Sequence, residues 1–161
     1  MKSALIIPAL NEEAAIGGVV RSVRDQVDRV IVADNGSTDR TAEEASAAGA
    51  DVVFVARAGY GRACLAGIAA ASDADLLIFM DGDGADDPTD LKALIGPIMD
   101  GRTDFVIGSR ALGERQDGSL TLPQRWGNAL AARLMQFFWG AAYTDLGPFR
   151  AIKRSAYQRL N

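Results

Sequence analysis

Short apolar runs rich in β-branched residues alternate with helix-period segments, and this alternation limits the fold more than any other feature of the chain. "SALIIPA" (3–9), "RVIVA" (29–33), "DVVFVA" (51–56), "DLLIFM" (75–80) and "TDFVIGS" (103–109) read as strands. After the first, Ile16, Val19, Val20, Val23 and Val27 fall on one helical face, with Asn11 as N-cap and Glu12 and Glu13 in the first turn. Thr38 or Asp39 caps a second helix over 40–48 that stops near Gly49. "GYGRACLAGIAAAS" reads as a loop entering a small-residue helix, and Pro88 suits the first turn of a helix ending near Gly101. Strands joined through helices predict an α/β protein with a mostly parallel sheet flanked by helices in three layers.

The remainder is less regular. Residues 110–123 are polar and contain glycine, as in a loop, and 124–143 are helical, with Leu130, Leu134, Phe137 and Phe138 on or near one face. "FRAIK" (149–153) reads as a last strand, and the final residues start a helix. A chain of 161 residues suits one domain and leaves little room for a second.

Composition removes several chemistries. There is no histidine, which excludes His-based triads, His zinc sites and imidazole acid–base catalysis. Cys64 is the sole cysteine, so no intrachain disulfide can form and a reducing compartment is expected. The first residues turn acidic too early for a signal peptide, and no apolar stretch is long enough to span a membrane. The net charge of −4 is uneven: residues 1–108 carry 9 basic and 18 acidic side chains, residues 109–161 carry 8 and 3. The basic second part suits either a solvated surface or an anionic partner.

The first, second and fourth strands each run into a polar loop: "PALNEE", "DNGSTD" and "DGDGADDP". In open α/β sheets, ligands bind outside that carboxyl edge. The acidic loop places Asp81, Asp83, Asp86 and Asp87 within seven positions and no cation among them. A calcium EF-hand is excluded, because Asp86 and Lys92 stand where Gly and Glu are required. Asp86 and Asp87 are expected to supply first-turn acids and a cap for the next helix. Gly82 lets the backbone turn so that Asp81 and Asp83 converge, as carboxylates do when Mg²⁺ or Mn²⁺ is shared with substrate phosphates. "DNGSTD" reads either as an ordinary capped turn or as a ligand loop, with Asp34 an acceptor for a ribose hydroxyl or a base N–H. "GYGRA" lacks the third glycine of a dinucleotide fingerprint and follows the wrong strand, but Arg62 at a helix start suits a diphosphate. There is no Walker loop.

Taken in order, "PALNEE", "DNGSTD", "GYGRA", "DGDGADDP", "GSR" and "DLGPFRA" resemble the family 2 glycosyltransferases, nearest their polyprenyl-phosphate (dolichol-phosphate mannose synthase-like) branch. The resemblance covers essentially the whole chain. It implies a GT-A, Rossmann-like domain over 1–161, with a nucleotide-sugar-binding half (1–108) and an acceptor-side half (109–161). It places Pro8, Asn11 and Glu12 at the nucleoside, joined by Asp34 and Asn35. Gly59, Gly61 and Arg62 form the Gly-rich loop, Asp81 and Asp83 hold the metal, and Arg110 and Arg150 contact an acceptor phosphate. Two positions depart from the pattern: Asn35 stands for a usual Asp near the base, and Ala85 follows Gly84 where the lipid-phosphate enzymes have Gln. The family continues well past this length, so the chain reads as a fragment or a shortened transferase.

The implied reaction is metal-dependent, inverting transfer of a sugar from a nucleotide diphosphate sugar to an acceptor oxygen, with Asp83, Arg62 and Arg110 as catalytic residues. The acceptor side includes a polyprenyl phosphate as candidate, supported by Arg110, Arg125, Arg150 and Arg154. No nucleic acid is expected, a homo-oligomer is admitted, and the location is cytoplasmic or peripheral at the inner face of the membrane. The 124–143 segment, with Trp126 and Trp139, packs on the protein or lies in a membrane interface. Two other readings are a non-catalytic nucleotide-sugar-binding module and a sugar-nucleotide pyrophosphorylase. The latter lacks its Gly-rich loop, since residues 8–13 contain no glycine.

Overall fold

A computed structural model describes residues 1–108 and 147–160. The strands are β1 (Ser3–Ala9), β2 (Arg29–Asp34), β3 (Asp51–Phe54), β4 (Leu76–Phe79), β5 (Phe105–Ile107) and β6 (Arg150–Lys153). The helices are α1 (Ile16–Val23), α2 (Thr41–Ala47), α3 (Tyr60–Ala70), α4 (Leu91–Met99) and α5 (Arg154–Gln158), with a 3₁₀ turn at Pro88–Asp90 before α4. The sheet order is β3-β2-β1-β4-β6-β5. β1 pairs in parallel with both β2 and β4, β2 with β3, and β6 runs antiparallel to β4 and β5.

Alternation along the strands builds the three expected layers. Leu5, Ile7, Val30, Val32, Leu76 and Ile78 point to one face, where Ile16, Val20 and Val23 of α1 and Leu91, Leu94 and Ile98 of α4 cover them. Ala4, Ile6, Ile31, Leu77 and Phe79 point to the other face and meet Ile68 of α3 and Ala71 just beyond it. Parallel strands covered on both sides must be apolar throughout, which is why these runs are near-continuous rather than alternating.

Three boundaries differ from the sequence expectation. Asn11 is not the cap of α1: its φ is +57°, whereas an N-cap residue is extended, and a turn closed by Ala15 N and Ile16 N donating to Glu12 O comes before the helix. Glu12 and Glu13 therefore precede the first turn of α1. Val27 lies past its end but still packs against the core. At α2 the residue before the helix is Arg40, and Asp39 holds the start from one position earlier, accepting from Thr41 N at 3.0 Å. β6 enters between β4 and β5, with Phe79 opposite Arg150 and Ile78 opposite Ala151, so residues 150–153 share one sheet with residues 1–108.

α3 lies close on β1 because position 67 has no side chain. A Cβ there would stand 2.3 Å from Ile6 Cγ2, in the fully buried interior. Gly67→Ala is expected to lower stability by about 1–3 kcal/mol, since overpacking outweighs the small gain in helix propensity. Urea denaturation checks this, and an unchanged midpoint would contradict the close packing.

Candidate functional site

The carboxyl ends of β1, β2 and β4 lie side by side, and their loops surround an open cleft of about 270 Å³. Its floor is the backbone stretch from Pro8 to Leu10, and Gly82 closes one side. The polar lining is Glu12, Asn35, Tyr60, Asp81 and Asp83. The described wall thus holds three carboxylates and no lysine or arginine.

Each part of the acidic loop has a separate structural cause. Asp87 caps the 3₁₀ turn, its Oδ1 accepting from Thr89 N and Thr89 Oγ1, both at 2.8 Å. Asp86 does not join it as expected. It is buried, and its Oδ2 accepts from Asp81 N at 3.3 Å, which folds the loop back on its own start. Asp83 Oδ1 accepts from Ala85 N at 2.9 Å. The loop bends over residues 82–84, as expected at Gly82, and positive φ falls at Gly84 (+79°). Gly82 also serves close packing: a Cβ there would be 3.3 Å from both Ile7 Cγ2 and Ile16 Cδ1.

The remaining predicted residues divide between wall and support. Pro8, Glu12, Asn35, Asp81 and Asp83 meet at the cleft, while Asn11, Asp34, Gly59, Gly61 and Arg62 are not in its wall. Asp34 is buried and accepts from Ser37 N at 3.0 Å. Asn35 Oδ1 accepts from Gly59 N at 2.7 Å, which ties the β2 loop to the glycine loop. Gly59 has φ +151° and ψ +126°, a backbone state open essentially to glycine alone. Arg62 folds back and donates to Ala58 O at 2.9 Å. Arg110, Arg125 and the 110–143 segment lie outside the described residues.

Arg150 and Arg154, the two described arginines among those expected at the acceptor, lie at opposite ends of β6. Arg150 starts the strand at the cleft edge, 5.8 Å above the Phe79 ring. Arg154 follows the strand's far end and donates to the carbonyls of Ala71 and Ala74, at the opposite edge of the sheet from the cleft. It is thereby removed from the expected acceptor contacts. Ser37 and Thr38 belong to the "DNGSTD" loop read above as a capped turn or a ligand loop, whereas Tyr60 and Thr41 were not singled out by sequence reasoning. The only signal for Tyr60 was its place between two glycines of the loop.

The electrostatics follow from this crowding. Burial, then the charges of Asp83 and Asp39, hold the Glu12 carboxyl above its ordinary range. Burial and Asp81 raise the Tyr60 phenol, with Arg150 working against the shift. Among the described residues no group of three or more Cys, His, Asp or Glu side chains encloses a metal. Two carboxylates on a shallow wall are a donor set for a hard divalent ion that completes its shell with water and phosphate oxygens, and the residues fit that use.

The sequence profile of Glycosyl transferase family 2 matches residues 4–160. The chain belongs to that family. It is 34% identical over 155 residues to glycosyltransferase AglJ of Haloferax volcanii, covering 95% of this chain and 50% of that protein. It is 30% identical over 180 residues to the UDP-N-acetylglucosamine–dolichyl-phosphate N-acetylglucosaminyltransferase of Methanococcus voltae, covering 98% and 71%. The crystal structure of glucosyl-3-phosphoglycerate synthase from Mycobacterium tuberculosis with Mn²⁺, UDP-glucose and phosphoglyceric acid superimposes with a TM-score of 0.76 at 29% identity, over 96% of this chain and 57% of that one. The family member described here therefore spans about half the length of AglJ, and its six-stranded sheet with flanking helices has the GT-A, Rossmann-like arrangement of the synthase.

A raised Glu12 pKa means that the folded protein holds this proton more tightly than the unfolded chain. The resulting cost is absent below the ordinary value of 4.5 and fully present once pH has risen past the folded value. Glu12→Gln is thus expected to raise Tm at neutral pH without divalent ions, and the gain should vanish in acid. A thermal-melt series across pH reads this directly, and a Tm gain that persists below pH 4.5 would contradict the electrostatic cause.

Proposed function

We propose that this chain carries the donor site of a glycosyltransferase that moves a sugar from a nucleotide diphosphate sugar to an acceptor oxygen, with inversion and with Mg²⁺ or Mn²⁺. The observation that carries this reading is the wall of Glu12, Asp81 and Asp83 with no basic residue in its described part. A diphosphate brought against three carboxylates is repelled unless a cation stands between them. Asp81 and Asp83 would hold that ion, which neutralises charge on the departing diphosphate when bound. The synthase crystallised with Mn²⁺ and UDP-glucose supports the assignment.

The chain's own residues then divide the work. Pro8, Glu12, Asp34 and Asn35 form and brace the nucleoside side. Gly59 and Gly61 allow close approach of backbone to phosphate, with Arg62 turning from the Ala58 carbonyl to the diphosphate. Residues 1–108 serve the donor, and residues 109–161 serve the acceptor through Arg110 and Arg150. A phosphate acceptor is already anionic and needs no general base, unlike a hydroxyl. The Methanococcus relative, named for a dolichyl-phosphate acceptor, supports the phosphate choice. The location that follows is cytoplasmic and peripheral at the inner membrane face. No helix among the described residues is long and apolar enough to cross a membrane.

Isothermal titration with UDP-glucose and GDP-mannose, in MnCl₂ and in MgCl₂, is expected to show metal-dependent binding of at least one. Asp83→Ala should abolish the metal dependence. Failure of every nucleotide sugar to bind would overturn the reading, and binding without turnover would reduce it to a binding module. Flotation with anionic vesicles at low salt is expected to carry the protein along, and its absence would remove the membrane assignment.

A further inference from the structure

Asn11 sits between two residues of the cleft wall, Leu10 and Glu12, yet is not part of that wall. It is also the only non-glycine residue with positive φ among the described residues. Asparagine tolerates the left-handed region better than most side chains, but the state still disfavours any residue with a Cβ. Something therefore holds it there.

The holding contacts all come from the β2–α2 loop. Asn11 N donates to Ser37 Oγ at 3.0 Å, and Asn11 Oδ1 accepts from Thr38 N at 2.9 Å and Thr38 Oγ1 at 3.3 Å. The next two amides continue the pattern: Glu12 N donates to Thr41 Oγ1 at 2.7 Å and Glu13 N to Asp39 Oδ2 at 3.2 Å. Arg40 N returns a bond to Glu13 Oε2 at 3.0 Å. Three successive amides thus end on Ser37 and Asp39 of the β2–α2 loop and on Thr41, the first residue of α2. The left-handed turn at Asn11 begins this seam. It leaves the Glu12 carboxylate, alone of this group, on the cleft and near Asp83.

We propose that Asn11 is a positioning residue: it does not touch the nucleotide but clips the two loops together and so fixes Glu12 in the donor site. This rests on the nucleotide-sugar reading above and refines the placement of Asn11 at the nucleoside. The roles separate by chemistry. A clip needs the left-handed backbone and the Oδ1 acceptor, whereas a nucleoside contact would use the Nδ2 donor.

The test is titration of UDP in MnCl₂ at high salt, where an added charge is screened. Asn11→Asp keeps the acceptor and should bind within about threefold of the parent protein. Asn11→Gly keeps only the backbone freedom and should lose about tenfold, as expected for one anchoring hydrogen bond. Asn11→Ala loses both and should bind more weakly still. In a Glu12→Gln background the Asn11→Gly loss should shrink to less than about twofold, because the clip then has no carboxylate to place. An Asn11→Asp variant as weak as Asn11→Gly, or an Asn11→Gly loss undiminished beside Glu12→Gln, overturns the positioning role. Absence of UDP binding by the unmutated protein overturns the nucleotide-sugar reading itself.

Discussion

The parallel pairing of β1 with both β2 and β4 is the interaction on which everything else here depends. Parallel neighbours end at the same edge, so three loops from distant parts of the chain emerge side by side, one strand spacing of about 4.8 Å from each to the next. β1 is also buried on both faces from Ala4 onward, which leaves its direction and register no freedom. The site is a consequence of strand polarity before it is a consequence of any particular side chain. Pro8 illustrates this: it lies within β1, paired with Ala33, yet already lines the cleft.

On that edge the chain gathers negative charge and then separates it by function. Asp87 and Asp34 are engaged by backbone amides of their own loops, and Asp39 by a neighbouring hydroxyl and amides, which hold its carboxyl below the usual range. Asp86 is buried against the amide of Asp81. Glu12, Asp81 and Asp83 remain on the cleft. Arg150 stands over Phe79 rather than in the wall. Asp83 keeps an amide contact of its own, from Ala85 N, and still lines the cleft.

Much of this was legible in the sequence. Near-continuous apolar, β-branched runs marked β1 to β5, and the polar loops after β1, β2 and β4 marked the edge. Asp87 as a cap also followed from local pattern, since its partner is two residues away. Non-local placement is where the sequence stopped. Nothing in "FRAIK" states that β6 runs antiparallel between β4 and β5, and only that direction puts Arg150 rather than Arg154 at the cleft edge. Nothing local identifies Asn11 as a clip either, because Ser37 and Thr38 are 26 and 27 residues away. The capping rule failed there for a physical reason: Asn11 Oδ1 is taken by Thr38, and Glu13 N is already met by Asp39.

The insertion of β6 also bears on how the chain acquires its shape. Among the described residues β5 pairs with β6 alone, Phe105 standing against Ile152. Residues 150–153 also follow every residue of β1 to β5 along the chain. During synthesis the first four strands and their helices are therefore free to assemble early, with one edge of β4 left bare. The described acidic wall of the cleft is present at that stage, before the strand that brings Arg150 to the same edge.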